Sequence, residues 1–224
     1  FKKCLILDLD NTVWGGVIGD DGLEGIQLGH GLGIGKMFTE FQMWVKKLKQ
    51  RGIIICVASK NNEDTAKEPF KKHPDMVLKL DDIAVFQANW DTKVDNIRTI
   101  QQILNIGFDS MVFLDDNPFE RNIVRENIPG ITVPELPEYP EDYLEYLYSL
   151  NLFETASYSN LDKDRTKQYQ VEAQRVSLSK TFTNEADFLK SLNMVSVVSG
   201  FTKFNTPRVA QLSQRSNQFN LRTV

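Results

Sequence analysis

The chain has 224 residues, of which 41% are hydrophobic and 25% charged, a composition typical of soluble globular proteins. Its net charge of −4 and its scattered lysines and arginines do not favour a nucleic-acid-binding protein. Because no apolar stretch approaches the roughly 20 residues of a membrane-spanning helix, we expect neither nucleic acid nor membrane as a partner.

The first third of the chain alternates apolar runs with amphipathic segments. Cys4 to Leu7 is a short apolar run typical of a buried parallel strand. The Gly-rich stretch 15–35 contains an Asp-Gly turn at Asp21-Gly22, which predicts a small β-hairpin flap. The elements predicted next are a helix over 37–48, a strand over 53–58, a helix over 62–72 broken or kinked at Pro69, and a strand over 83–88.

The alternation continues to about residue 140. Asp91 or Thr92 can cap a helix that ends near Gly107, and Met111 to Leu114 predicts a fourth strand. A helix starting at Pro118 and a short fifth strand over 131–133 complete the pattern. We therefore expect residues 1–140 to form a three-layer α/β/α domain, with a parallel sheet of order 3-2-1-4-5 and the flap as a minimal cap.

The remainder of the chain has a different character. We interpret residues 141–180 as a helical connector, with helices over 143–150 and about 162–175. Residues 181–224 are interpreted as the start of a second, truncated α/β domain, with a strand over 195–198 and a helix from Pro207. Cys4 and Cys56 lie in apolar strand-like runs, which indicates core residues rather than a disulfide and favours the cytoplasm.

Polar side chains of complementary kinds stand at the predicted strand ends and at one helix start. They are Asp8 and Asp10, Ser59, Lys93, and Asp115 with Asp116. In a doubly wound sheet these positions converge on one crevice. Gathered carboxylates require a hard cation such as Mg²⁺, and phosphoryl transfer needs a nucleophile, a metal, a cation and a phosphate-holding donor. The polar residues at the strand ends therefore predict Mg²⁺-dependent phosphoryl transfer.

The segments that carry these residues resemble the four motifs of the haloacid dehalogenase (HAD) superfamily. They are Leu7-Asp8-Leu9-Asp10-Asn11-Thr12-Val13, Val57-Ala58-Ser59, Lys93, and Val112-Phe113-Leu114-Asp115-Asp116-Asn117. The segments 14–22, 115–121 and 214–221 are further similar to the FkbH-like branch. That branch joins a HAD domain to a C-terminal acetyltransferase-like (GNAT-like) domain and loads a glyceryl unit from an acyl phosphate onto an acyl carrier protein.

The resemblance implies a role for each matching residue. Asp8 would be the nucleophile, and Asp10 the general acid and then the general base. Ser59 would bind the phosphate, and Lys93 would neutralise the transferring group. Mg²⁺ would be held by the Asp8 carboxylate, the Asp10 backbone carbonyl and Asp116, with Asp115 supporting or sharing that role.

Four other residues are candidates for binding phosphate or substrate. Lys60 follows Ser59 and could supply a second cation, and Arg121 could bind a carboxylate or second phosphate. We also place Asn61 and Thr12 in this group. Each site residue has an ordinary alternative as a helix cap, turn residue or solvated charge.

The function expected first is a Mg²⁺-dependent phosphatase or phosphotransferase that acts on a small phosphorylated substrate through an aspartyl-phosphate on Asp8. The alternative is an FkbH-like transfer of a glyceryl unit, from an acyl phosphate such as 1,3-bisphosphoglycerate to an acyl carrier protein. A non-catalytic binding module is a third possibility.

Overall fold

The structure is a computed structural model that describes residues 2–31, 33–154, 165–179, 184–198, 200–207 and 209–210. Its strands are β1 (Cys4–Leu7), β2 (Ile54–Lys60), β3 (Val85–Asn89) and β4 (Met111–Leu114). Its helices are α1 (Ile18–Gly25), α2 (Ile34–Gln50), α3 (Glu63–Lys72), α4 (Lys93–Leu104), α5 (Pro118–Asn127), α6 (Tyr143–Ser149), α7 (Arg165–Ser179) and α8 (Glu185–Ser191). Short 3₁₀ turns occupy Leu80–Asp82, Phe108–Ser110 and Pro140–Asp142.

The described strands form one parallel sheet of order β3-β2-β1-β4. This confirms the predicted order of the first four strands. The fifth strand predicted over 131–133 is wrong, because only Thr132 pairs with the sheet, through a bridge to Val112. Prolines at 129 and 134 lie on both sides of this segment, and proline has no backbone N–H to extend a ladder.

Helices cover both faces of the sheet, as the sequence predicted. Side chains of β1 alternate between the two faces, so Leu5 and Leu7 face one core while Cys4 and Ile6 face the other. Side chains from α2, α3 and α6 pack in the first core. Residues of α4, α5 and α7 pack in the second. All four β1 residues are fully buried, so the position of the strand end that carries Asp8 is fixed by packing on both sides.

The flap differs from the predicted hairpin. Its two ends do pair in antiparallel fashion, with reciprocal backbone hydrogen bonds of 3.1 and 2.7 Å between Gly15 and Gln27. Between them, however, the chain forms α1 instead of two strands. Asp20 and Asp21 lie in its first turn, where carboxylates are favourable, and Asp21 accepts a hydrogen bond from the Val17 N–H at 2.7 Å.

Two local predictions about helices are corrected or resolved. Helix α3 continues through Pro69 instead of breaking there, and its Asn62 cap accepts hydrogen bonds from the Asp64 and Thr65 N–H groups. Of the two candidate caps for α4, the structure uses Thr92, which accepts from the Asp95 N–H at 3.1 Å. This cap starts the helix at Lys93 and fixes the base of that side chain.

The chain divides into two compact units, Phe1–Thr181 and Phe182–Val224. Helix α7 begins at Arg165, and its predicted start at residue 162 lies outside the described residues. It packs against α4 of the first unit. In the second unit, residues 194–198 form no strand, and Val195, Val197 and Val198 are largely exposed because no described segment pairs with them.

Three further predictions concern the helix from Pro207, the cysteines and membrane spans. The chain is helical at 206–207 and 209–210, while residues 211–224 lie outside the described part. Cys4 and Cys56 are free, buried thiols, as predicted. Among the described helices, none combines the length and apolarity that a membrane crossing requires.

Candidate metal and phosphate site

Six predicted site residues meet in one crevice at the carboxyl edge of the sheet. Asp8 and Asp10 follow β1, Asp115 and Asp116 follow β4, Ser59 is near the end of β2, and Lys93 opens α4. All six line a cavity of about 210 Å³. They converge because carboxyl ends of neighbouring parallel strands lie at the same edge.

Three carboxylates form a potential metal site. One oxygen each from Asp8, Asp115 and Asp116 lie within 4.8 Å of one another. Asp115 Oδ2 is buried and accepts no hydrogen bond, and its one ion-pair partner, Lys93, is shared with Asp8, so the buried carboxylates are only partly compensated. An all-oxygen set with room for water suits Mg²⁺, which keeps several waters and uses few carboxylates. The residues therefore fit this ion.

Lys93 is the buried cation of the site. Its Nζ contacts an Asp8 carboxylate oxygen, donates to the Ala58 carbonyl at 2.9 Å and lies 3.2 Å from Asp115 Oδ2. Burial alone lowers the pKa of Lys93, but the Asp8 and Asp115 carboxylates outweigh that effect and raise it. A permanent positive charge therefore stands beside Asp8.

The carboxylates following β4 bind protons more tightly than ordinary aspartates. Burial, followed by the negative charge of Asp8, raises the pKa of Asp115 to about 7. The same two causes raise the pKa of Asp116 to about 6. One lysine does not balance this cluster, so a divalent cation would resolve the repulsion among its carboxylates.

Asp10 is held by three donors. Its Oδ1 accepts from the Trp14 indole N–H at 3.0 Å and from the Ile18 backbone N–H at 2.9 Å, and its Oδ2 accepts from Asn61 Nδ2 at 3.0 Å. Burial raises the pKa of Asp10, although the hydrogen bonds from Ile18 and Trp14 act in the opposite direction. A fixed carboxyl with a raised pKa suits a group that both gives and takes a proton.

Three residues that were predicted to bind substrate contact other residues of the site instead. Asn61 donates to Asp10, and Thr12 Oγ1 accepts from the Asp116 N–H at 3.1 Å. Arg121 is buried, and its Nη1 donates to the carbonyls of Asp115 and Asp116 at 2.9 and 2.7 Å. The rest of its guanidinium engages Glu135. In the structure the three side chains therefore hold the Asp10, Asp115 and Asp116 segments in place, and their donors are occupied by these contacts, while their predicted role in binding substrate stays a prediction.

Ser59 and Lys60 differ in their availability to a phosphate. Ser59 lines the crevice, is 1% exposed, and its hydroxyl has no hydrogen-bond partner among the described residues. Lys60 is paired with Glu120 at 2.5 Å. That pair joins the end of β2 to the first turn of α5, and both residues line the crevice. The Ser59 hydroxyl is thus a free donor, whereas Lys60 must exchange partners to bind an anion.

Sequence reasoning missed the role of Trp14. Its side chain is fully buried and its indole N–H fixes Asp10, four residues earlier. Glu120 was also not assigned, yet it holds Lys60. Residues 10–14 form a turn with Asn11 in the left-handed region, so the four-residue spacing, which indicates a contact only in a helix, gave no signal, and the contact between Glu120 and Lys60 depends on the tertiary fold.

No family model and no curated protein matches the chain. A solved structure, however, matches the chain. The chain is similar to the N-terminal part of a Bacteroides fragilis protein, which contains a phosphatase domain and was crystallised in complex with Mg. Sequence identity is 81% and the TM-score is 0.70, over 70% of this chain and 42% of that one. The chain thus spans less than half of the protein it matches.

Proposed function

We propose that this chain is a Mg²⁺-dependent phosphatase that acts through an aspartyl-phosphate on Asp8. The observation that carries the proposal is the convergence of Asp8, Asp115 and Asp116 within 4.8 Å, beside the buried Lys93. The similarity to a phosphatase domain crystallised with Mg supports it. The metal supplies charge neutralisation to the phosphate oxygens when bound.

The side chains divide the reaction between them. A carboxylate oxygen of Asp8 attacks phosphorus and forms a new P–O bond, while the bond from phosphorus to the leaving oxygen breaks. Asp10 gives its proton to that leaving oxygen. Water then attacks the aspartyl-phosphate, Asp10 takes the proton from that water, and inorganic phosphate leaves with Asp8 restored. Lys93 and the Ser59 hydroxyl hold the phosphate oxygens during both steps.

The test is turnover of p-nitrophenyl phosphate with Mg²⁺. Asp8→Asn keeps the side-chain shape but removes the nucleophile, so we expect loss of at least about a thousandfold in kcat, the scale of a lost nucleophile. Asp81→Asn, at an exposed position outside the crevice, is the matched control and should keep wild-type activity. Comparable activity of Asp8→Asn and wild type, with both folded, would overturn the proposal.

A glyceryl transfer to an acyl carrier protein is the second proposal. Its support is the FkbH-like resemblance, whose segment at 214–221 lies outside the described residues. Both cysteines are buried in the sheet, so neither is placed to relay an acyl group. Incubating a longer protein that includes the complete acetyltransferase-like domain with an acyl carrier protein and an acyl phosphate should add a glyceryl mass to the carrier. No mass gain with several carriers would refute this alternative.

A further inference from the structure

A second cavity adjoins the phosphate crevice. It has a volume of about 470 Å³, within the range of small-molecule sites. Asn11 and Asp116 line both this cavity and the crevice. A group attached to a phosphate in the crevice can therefore extend past these two residues into the larger space.

The walls of this cavity come mainly from two parts of the first unit. On one side lie residues of the flap and α2, namely Gly15, Gln27, Ile34 and Phe38, and on the other lie Leu136, Pro137, Glu138, Pro140 and Tyr143. Phe38 and Tyr143 are each only 2% exposed and pack edge to face. Tyr143 also donates its hydroxyl to the Asn11 carbonyl at 3.3 Å. The cavity is therefore preformed and tied to the backbone that follows Asp8.

The charges around the cavity are unbalanced. Its charged lining residues are Asp116, Arg121 and Glu138, of which Asp116 belongs to the metal site, where a bound cation would neutralise it, so Glu138 sets the charge of the cavity. The Arg121 guanidinium already serves two backbone carbonyls and Glu135, so it has little capacity for a ligand. Glu138 is exposed, with no compensating cation among the described lining residues. The cavity therefore repels an anionic group and accepts a neutral or cationic one.

We infer that this cavity binds the leaving group of the substrate and selects phosphate monoesters whose leaving group is neutral or cationic and partly apolar. The inference rests on the proposed phosphatase function and names its substrate class. The apolar surface of Ile34, Phe38 and Leu136 favours carbon-rich groups. Gln27 and the exposed Glu138 offer hydrogen-bonding groups for hydroxyl or ammonium substituents.

The first experiment compares leaving groups of different charge on the full chain with Mg²⁺. The probes are p-nitrophenyl phosphate and phosphocholine against 3-phosphoglycerate, whose leaving group is anionic. Because p-nitrophenolate is intrinsically a better leaving group than an alkoxide, the test of the cavity is phosphocholine against 3-phosphoglycerate, and we expect kcat/KM to be at least about tenfold higher for phosphocholine, the effect of roughly 1.4 kcal/mol. Equal or higher kcat/KM for 3-phosphoglycerate would overturn the inference while leaving the phosphatase function intact. No turnover of any probe would instead count against the function itself.

Two variants locate the selectivity. Ile34→Trp should fill the cavity and reduce kcat/KM for p-nitrophenyl phosphate mainly through KM. Met43→Trp is its matched control, because Met43 lies on the same helix with similar exposure, 42% against 40%, and does not line the cavity. Equal effects of the two substitutions would refute the assignment of the cavity.

Charge reversal provides the second test. Glu138→Lys should raise kcat/KM for 3-phosphoglycerate by about three- to tenfold and lower it for phosphocholine, as expected from a charge reversal close to the ligand. Glu126→Lys makes the same change in net charge near the end of α5, about 12 Å along the helix from Pro118, and should have little effect at physiological salt. Identical responses to both reversals would show a bulk charge effect and contradict the proposed site.

Discussion

Replacing Asp115 by asparagine tests the electrostatic account of the metal site most directly. The pKa of Asp115 is raised from 3.8 to about 7, chiefly by burial and then by Asp8. The pKa of Asp115 in the folded state therefore exceeds its value in the unfolded chain. Between pH 3.8 and about 7, the folded protein holds a proton on Asp115 that the unfolded chain has lost. The resulting stability is present below about pH 4 and is lost as pH rises through about 7.

The magnitude follows from this shift. At 1.36 kcal/mol per pKa unit, the ionised Asp115 destabilises the metal-free fold by on the order of 4 kcal/mol above pH 7. Asparagine keeps the shape and can still accept from the Asn117 N–H, which now donates to Asp115 Oδ1 at 2.9 Å. Without metal, Asp115→Asn should therefore match wild type only near pH 4, exceed its free energy of unfolding by about 1.6 kcal/mol at pH 5, and by on the order of 4 kcal/mol at pH 8.

The assay is denaturant unfolding in EDTA at pH 5, 6, 7 and 8, repeated with Mg²⁺. A metal at one hundred times its dissociation constant adds about 2.7 kcal/mol to wild type, and the variant should gain much less. Asp81→Asn should follow wild type throughout, since Asp81 is exposed. Parallel stability curves for wild type and Asp115→Asn from pH 5 to 8 would refute the reasoning.

Three further outcomes follow from the contacts around the site. Asn61→Ala removes a donor from Asp10, so kcat should fall by roughly tenfold with KM little changed, the scale of a weakened acid–base group; an altered KM alone would contradict this role. Glu120→Gln removes the ion-pair partner of Lys60, so inorganic phosphate should inhibit the variant more strongly than wild type in steady-state assays. Unchanged inhibition would exclude an exchange of Lys60 from Glu120 to phosphate. Arg121→Met removes the hydrogen-bond donor of the Asp115 and Asp116 carbonyls, so the free energy of unfolding should drop by about 2–4 kcal/mol. Mg²⁺ binding, measured by calorimetry, should also weaken. A wild-type Mg²⁺ affinity would argue against a role of Arg121 in positioning these residues.

The sequence identified the site where local patterns were sufficient. A run of apolar residues that ends in carboxylates marks a buried strand and its functional end, as at Leu7-Asp8 and Leu114-Asp115. The helix start at Lys93 was similarly readable from its flanking cap residues. These features depend on neighbours in the chain, and the structure brings the side chains they predicted together in one crevice.

The flap shows where local signals competed. The Asp-Gly pair at 21–22 is typical of a hairpin turn, but Asp20 and Asp21 also suit the first turn of a helix. The flap ends pair at Gly15 and Gln27, as they would in either arrangement. Periodicity over so few residues did not distinguish the two.

Partner choice at the site required the tertiary structure. Asn61 reaches Asp10 across 51 residues of sequence, and Thr12 reaches Asp116 across 104. Composition and spacing established which functional groups stand at the sheet edge. Whether a given amide, hydroxyl or guanidinium faces a substrate or a neighbouring carboxylate is decided only by packing, because donors that lie far apart in sequence compete for the same acceptors once the strands are assembled.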